Sequence, residues 1–382
     1  MAERLRSSGR MRALSGVALS VLVAAALWTT VTWSAAYERG FQPVQTKVWS
    51  RWDSGLYEMI AADGYTFEHC NPDAGYPPDS WCGTAGWFPL LPYAAVAMSQ
   101  LGPPTQAAMR GVVLVAFIAM LTAAALGSLR ERSRSSALLA MCLLGVFPGS
   151  VYFGALFPIS LALAGVFGCL AAIRRRWWLT AGGAAAVATM AYPSGVLVVV
   201  VALVVLLDPR VGDRRRRAVS AAKVAGPVLL AYVLVAANFH RTVGHWNAWF
   251  LVQDKYGHGL QNPLGSLWHH LTSWGAESRL PRAAVAQTAL LLVIVCVAVT
   301  VVVRDRKQLS TSEWACAAVG AAFWLAPLMV GGELSLYRAE ALVAPVVVLI
   351  ARAPTRVIAA LVPVAAVVAF GMARLFFDGI LI

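Results

Sequence analysis

The chain is poor in charge, poor in cysteine and empty of the motifs that bind soluble cofactors. Only 13% of its 382 residues are Asp, Glu, Lys or Arg, about half the share usual in a soluble protein. That scarcity excludes an ordinary soluble domain. No phosphate-binding loop, dinucleotide-type glycine pattern, zinc-protease helix or serine elbow occurs. A soluble nucleotide fold is therefore excluded. Of the six cysteines, Cys142, Cys169, Cys296 and Cys316 fall inside apolar runs, where a thiol is a small packing group. Cys70 and Cys82 bracket the Pro- and Gly-rich stretch HCNPDAGYPPDSWCG. Three readings are open for them: a disulfide if that stretch faces an oxidising compartment, two free thiols, or a metal site with His69. No fourth ligand of convincing spacing supports the last.

Apolar residues, at 59%, recur in stretches near the roughly 20 residues that a bilayer span needs. The sequence reads as one all-α polytopic membrane domain, residues 1–382. The net charge of +13 does not mark a nucleic-acid partner, because the basic residues gather at helix ends. Arg4 to Arg12, Arg130 to Arg134, Arg174 to Arg176, Arg210 to Lys223, Arg304 to Lys307, and Arg352 with Arg356 hold 21 of the 31 Lys and Arg residues. Short loops rich in Lys and Arg stay on the cytoplasmic side. Holding these clusters inside predicts eleven spans, within a range of nine to twelve, with the N-terminus in and the C-terminus out. They fall near 13–37, 107–129, 137–153, 156–173, 179–191, 194–207, 219–238, 284–303, 313–330, 339–351 and 357–377. Residues 38–106 and 239–282 become the two large outer loops. Segment 87–101 becomes a helix on the outer face, since a span there would turn several basic clusters outward. The first apolar run exceeds the 7–15 residues of a signal peptide, so it is expected to stay as a span.

One carboxylate then stands out. WSRWDSGLY (49–57) places Asp53 just beyond the first span, and GWFPLLPY (86–93) follows in the same loop. A carboxylate at a membrane face can serve as general base for a hydroxyl attacking a lipid-borne substrate. The plainer role is an N-cap for a helix over 54–62. A lipid phosphate leaving group needs cations or hydrogen-bond donors, and the candidates are Arg51, His240, Arg241, Lys255, His258, Tyr337 and Arg338. Arg can grip phosphate through two parallel N–H bonds. Arg338, in GGELSLYRAEALVAP, sits where a span begins, and an ionisable group at membrane depth is by default functional. Glu333 and Glu340 are its competing partners, and snorkelling beside Tyr337 is the plainer reading. Glu58 and Asp63 do not share a helix face well, while Asp73 and Asp79 belong to the cysteine-bracketed stretch. Asp254, Glu333 and Glu340 lack octahedral spacing, so no metal site is assigned, although a divalent ion is not excluded. The 239–282 loop is rich in Trp and His (His245, Trp246, Trp249, His269, His270 and Trp274 among them). It reads as an interfacial belt or as a platform for sugar rings.

These motifs carry a family resemblance. The Trp52-Asp53 pair, the Gly64-Tyr65 step ending a helical stretch, and Phe88-Pro89-Leu90-Leu91-Pro92 resemble the signature of the GPI mannosyltransferase 2 (PIG-V) family and its bacterial relatives. Those proteins belong to the glycosyltransferase C superfamily of multi-span enzymes. WNAWFLVQDKYGHGLQNP (246–263) is similar to a second block, with Gln253 and Gly257 in register. Two departures stand out: Ile159 occupies a position that usually carries an acid, and Tyr192 one that usually carries an arginine. Losing both together avoids an unpaired buried charge. The resemblance implies a glycosyltransferase-C-like fold and transfer of a sugar, mannose first, from a polyprenyl-phosphate donor to a glycolipid or other membrane-surface acceptor. Asp53 would be the base, and Arg51, Trp52, Gln253, Lys255, His258, Tyr337 and Arg338 would line the donor site. No cofactor is implied beyond the lipid carrier. Ala- and Arg-rich usage suggests a bacterial plasma membrane with the site on its periplasmic side. The alternative is a lipid-linked saccharide transporter or a non-catalytic membrane scaffold; a transporter should show paired repeats and mid-bilayer charges, which the sequence lacks.

Overall fold

The computed structural model describes residues 2–128, 133–272, 281–330 and 336–380. Glu333, Trp274, Arg130 and Arg132 lie outside the described residues, as do the side chains of Arg4 to Arg12. Among the described residues, six helices are long and apolar enough to cross a membrane. They are α1 (Ala2–Glu38, counted from Ser15), α4 (Thr105–Ser128), α9 (Arg214–Val243), α12 (Arg282–Asp305), α13 (Thr311–Val330) and α16 (Thr355–Asp378). Shorter helices fill the spaces between them: α2 (Ser54–Asp63), α3 (Leu90–Ser99), α5 (Arg134–Gly145), α6 (Ile159–Arg174), α7 (Trp178–Ala191), α8 (Val200–Leu207), α10 (Ala248–Asp254), α11 (Pro263–Thr272), α14 (Leu336–Ala341) and α15 (Val347–Ile350). The one sheet among the described residues is a two-stranded antiparallel ribbon, β1 (Glu68–His69) with β2 (Trp81–Cys82), paired Glu68 to Cys82 and His69 to Trp81.

The structure is an all-helical membrane protein, but several expected spans are shorter and more broken than the apolar runs suggest. The run 137–153 is helical only to Gly145, after which Pro148 and Gly149 intervene before a 3-10 turn at Ser150–Phe153. Gly149 has φ +77°, and a Cβ there would lie 2.9 Å from that of Ala341. The run 339–351 divides into α14, a 3-10 turn at Ala344–Val346 containing Pro345, and α15. Proline removes a backbone donor and clashes with the preceding turn. Such irregular backbone is tolerated at membrane depth where protein surrounds it, and residues 336–353 are indeed almost wholly buried. Pro193 opens the turn after α7 in the same way.

Two ends of the bundle differ sharply in chemistry. At one end the basic segments interlock. Arg174 donates to the Gly127 carbonyl, Arg176 to that of Arg210 (3.0 Å), and Arg210 to Asp208 (2.9 Å) and the Leu309 carbonyl. Arg304 donates to the Arg352 carbonyl (2.9 Å), and Arg352 in turn to Glu313 (3.0 Å). Helix α16 starts beside Arg352 and finishes at the opposite end. There Arg39 meets Asp378 at 2.6 Å, and Arg51 donates to the Phe377 carbonyl at 2.9 Å. Its 24 residues span about 36 Å at 1.5 Å each, enough to cross the hydrocarbon core. The segment carrying Asp53 therefore lies a membrane's thickness from the basic end.

Candidate active site

The site is built on the segment after α1. A 3-10 turn, Thr46–Trp49, buries Trp49 against Trp28 (centroids 5.7 Å apart) and Phe377 (5.3 Å), and its indole N–H donates to the Pro43 carbonyl at 2.7 Å. Three residues on, Trp52 adopts φ +45°. A bulky side chain in the left-handed region is a genuine outlier, of the kind that clusters at functional sites. Trp52 sets its edge on Phe376 (5.6 Å) and packs with Tyr337 and Met372.

Asp53 follows, and it does not cap α2: its side chain makes no capping hydrogen bond. Its Oδ2 instead accepts from Nη1 of Arg338, 285 residues away. The Arg338 side chain is 9% exposed and that of Asp53 26%. The guanidinium also lies over the Phe157 ring, 5.2 Å from its centroid. Arg338 is thus a buried cation with an acidic partner far away in sequence, and of the two acids close to it in sequence Glu333 lies outside the described residues. Glu340 is occupied by Gln287 Nε2 and Thr288 Oγ1, both at 2.6 Å. Gln287 also receives the Gly149 N–H (2.8 Å) and donates to the Tyr337 carbonyl (3.2 Å). These bonds, with the close approach that Gly149 permits, fix α14 and hence the aim of Arg338.

Tyrosines surround the pair. The charges of Asp53 and Arg338 both act on the hydroxyls of Tyr57, Tyr152 and Tyr192. Burial, then Tyr192 and Asp53, raise the Tyr57 phenol well above its ordinary range, so it can donate a hydrogen bond but does not ionise. Tyr192 occupies the position where the resemblance expects an arginine, within electrostatic reach of Arg338. Ile159, where an acid is expected, is fully buried at the first turn of α6.

A second wall comes from the segment after α9. Gln253 Nε2 donates to the Gly86 carbonyl (3.2 Å), tying α10 to the GWFPLLPY block. A Cβ at Gly86 would fall 2.8 Å from Val252, so the close packing requires glycine. Lys255 Nζ lies 5.0 Å from the ring centroids of both Tyr76 and Tyr256, and 3.5 Å from Cys82 Sγ. Burial pulls the Lys255 ammonium below its ordinary pKa. Burial, then Tyr76 and Asp53, push the Tyr256 phenol up to about 12, with Arg338 opposing. The Lys255 wall is thus within electrostatic range of the Asp53 pair. Cys70 and Cys82 are joined by a disulfide that closes the ribbon excursion, whose Trp81 stacks on Phe67 (4.2 Å) and His69 (4.0 Å).

Other candidates sit elsewhere. Arg51 is turned to the end of α16 and over Phe41. His258 lies 6.0 Å from the Tyr256 ring, His270 is 6.1 Å from Tyr337, and His240 stacks on Trp246. Arg241 is exposed in the last turn of α9. Glu58 accepts from Ser50 (2.7 Å) and Gln106 (3.0 Å), while Asp63, Asp73, Asp79 and Asp254 are exposed. Among the described residues no three His, Cys, Asp or Glu side chains gather as a metal site. The sequence reading missed Gln287, Tyr57 and Tyr256. It also missed Arg110, whose signal was plain, since it is the one basic residue between Arg51 and Arg130.

No family model and no curated protein sequence matches the chain. Solved structures do. The apo oligosaccharyltransferase of Archaeoglobus fulgidus superposes with a TM-score of 0.57 at 13% identity, covering 95% of this chain and 56% of that one. The same archaeal protein, AglB, in complex with an inhibitory peptide and a dolichol-phosphate gives 0.52 at 12% identity, covering 96% and 56%. The chain shares the fold of that archaeal oligosaccharyltransferase over nearly its whole length. At such identity the likeness speaks for the fold alone, and the chain spans about half the length of those proteins.

Proposed function

We propose that this chain is a membrane glycosyltransferase that moves a sugar from a polyprenyl-phosphate donor to an acceptor hydroxyl at the extracytoplasmic face of a bacterial plasma membrane. The observation that carries the reading is the Asp53–Arg338 pair, an acceptor-only group and a two-pronged donor held together at the end of the bundle away from the basic clusters. The fold shared with a protein solved in complex with a dolichol-phosphate supports a lipid-phosphate donor. The Trp-Asp and Phe-Pro-Leu-x-Pro resemblance supports the bacterial PIG-V relatives and mannose as the sugar.

In this reading Arg338 receives the donor phosphate, whose oxygens compete with Asp53 for the guanidinium N–H groups. Lys255 adds a point charge from the other wall, while Gln253, His258, Tyr337 and Trp52 shape the pocket and Arg51 anchors the segment. Asp53 Oδ1, which accepts no hydrogen bond among the described residues, takes the proton from the acceptor hydroxyl. The acceptor oxygen forms the bond to the anomeric carbon as the bond from that carbon to the phosphate oxygen breaks. Polyprenyl phosphate leaves with the bonding electrons, its charge facing Arg338. Purified protein incubated with polyprenyl-phosphate mannose and bacterial membrane lipids should release polyprenyl phosphate and raise an acceptor lipid by one hexose mass. An unchanged donor pool, with facilitated movement of that donor across vesicles, would favour the transporter instead.

A further inference from the structure

Arg110 belongs to none of the roles above, and its surroundings are those of a binding group without its ligand. It lies in α4, five residues after Thr105, about 8 Å along the helix axis. That end of α4 is the Asp53 end, because Gln106, one turn earlier, donates to Glu58 of α2. The Arg110 guanidinium lies 4.2 Å from the Trp49 ring centroid. Nη1 is buried with no hydrogen-bond partner, and the side chain forms no ion pair among the described residues. Glu58, the carboxylate nearest along this network, is committed to Ser50 and Gln106. The backbone makes room for the cation: a Cβ at Gly154 would fall 2.4 Å from Trp28 and 3.2 Å from Arg110 Nη1. Segment 49–53 therefore carries one arginine at its first residue and another, Arg338, at its last.

We propose that Arg110 binds a lipid-borne phosphate through its guanidinium fork, with Trp49 holding the guanidinium plane from one face. An unpaired cation inside an apolar span is costly and marks function by default, and a phosphate oxygen pair matches the fork bidentately. The phosphate belongs either to a membrane glycerophospholipid or to a polyprenyl carrier. The inference rests on the membrane fold and on Arg110, not on glycosyl transfer, so its test uses no sugar donor.

The test is native mass spectrometry of the full chain in detergent, titrated separately with phosphatidylglycerol, polyprenyl phosphate and phosphate-free diacylglycerol. Arg110→Gln should weaken binding of at least one phosphate lipid by about tenfold or more, leaving diacylglycerol unchanged. Loss confined to polyprenyl phosphate identifies the carrier lipid as occupant; loss of both identifies a general lipid-phosphate site. Arg110→Lys keeps the charge but not the planar fork, and should bind more weakly than the parent. It carries the test alone should the Gln variant not fold. Parental affinity for both phosphate lipids in whichever variant folds would overturn the proposal.

Discussion

Replacing Asp53 by Asn is expected to destabilise the protein more than replacing Arg338 by Gln, because the penalty follows the charge left behind. Breaking a buried ion pair from one side costs about 3–5 kcal/mol. Asp53→Asn deprives the guanidinium, whose side chain is 9% exposed and lies over Phe157, of this carboxylate's charge. The Asn oxygen still accepts one hydrogen bond, so the expected cost is about 2–3 kcal/mol. Arg338→Gln strands a carboxylate that is 26% exposed. Solvent screens that charge, and about 1 kcal/mol is expected. In the double variant both charges of the pair are gone, and a coupling of about 1–2 kcal/mol should appear. The four proteins can be compared by equilibrium denaturation in one fixed lipid–detergent mixture. Single costs that are equal and add to within about 0.5 kcal/mol would refute the pair and the site built on it.

The remaining expectations concern the surroundings of that pair. Breaking the Cys70–Cys82 bridge, which closes a separation of 12 residues, should lower stability by about 3 kcal/mol in the chain-entropy picture, and unreduced peptide mapping should recover the two cysteines linked. A cysteine placed at the exposed Ala62 should label with an impermeant thiol reagent in intact cells, whereas one at the exposed Ser135 should not; the reverse pattern would invert the topology. Lys255 is held below its ordinary pKa of 10.5 by burial, so the unfolded chain binds its proton more readily. Its contribution to stability therefore rises with pH between the lowered value and 10.5. Lys255→Met should flatten that alkaline rise in a pH series of denaturation midpoints, and an unaltered slope would contradict the burial.

Local chemistry made much of this architecture legible in sequence, while pairings over long separations stayed hidden. The basic clusters could be placed on one side because charge at helix ends is a local signal, and their interlocking through Arg176, Arg210, Arg304 and Arg352 is a consequence of that placement. Asp53 and Arg338 were each legible as polar residues at apolar-run boundaries. Their contact was not, since 285 residues separate them and Glu340 stands much closer in sequence. Glu340 is satisfied instead by Gln287 and Thr288 of α12, from another helix. Hydropathy also overstated helix length where Pro148 and Pro345 break apolar runs, because an apolar window does not register a missing N–H, whereas the break at Pro193 falls between two expected spans. Capping by Asp53 was a sound local expectation that tertiary structure overrode through the left-handed turn at Trp52.

The central claim is that Asp53 accepts the acceptor proton during sugar transfer from a lipid phosphate. Its most direct test is the rate of polyprenyl phosphate release from polyprenyl-phosphate mannose in proteoliposomes carrying equal amounts of folded parent or Asp53→Asn protein. The expected result is release by the parent, with loss of about 10²-fold or more in the variant. Release by the Asn variant within a few-fold of the parent would contradict the claim.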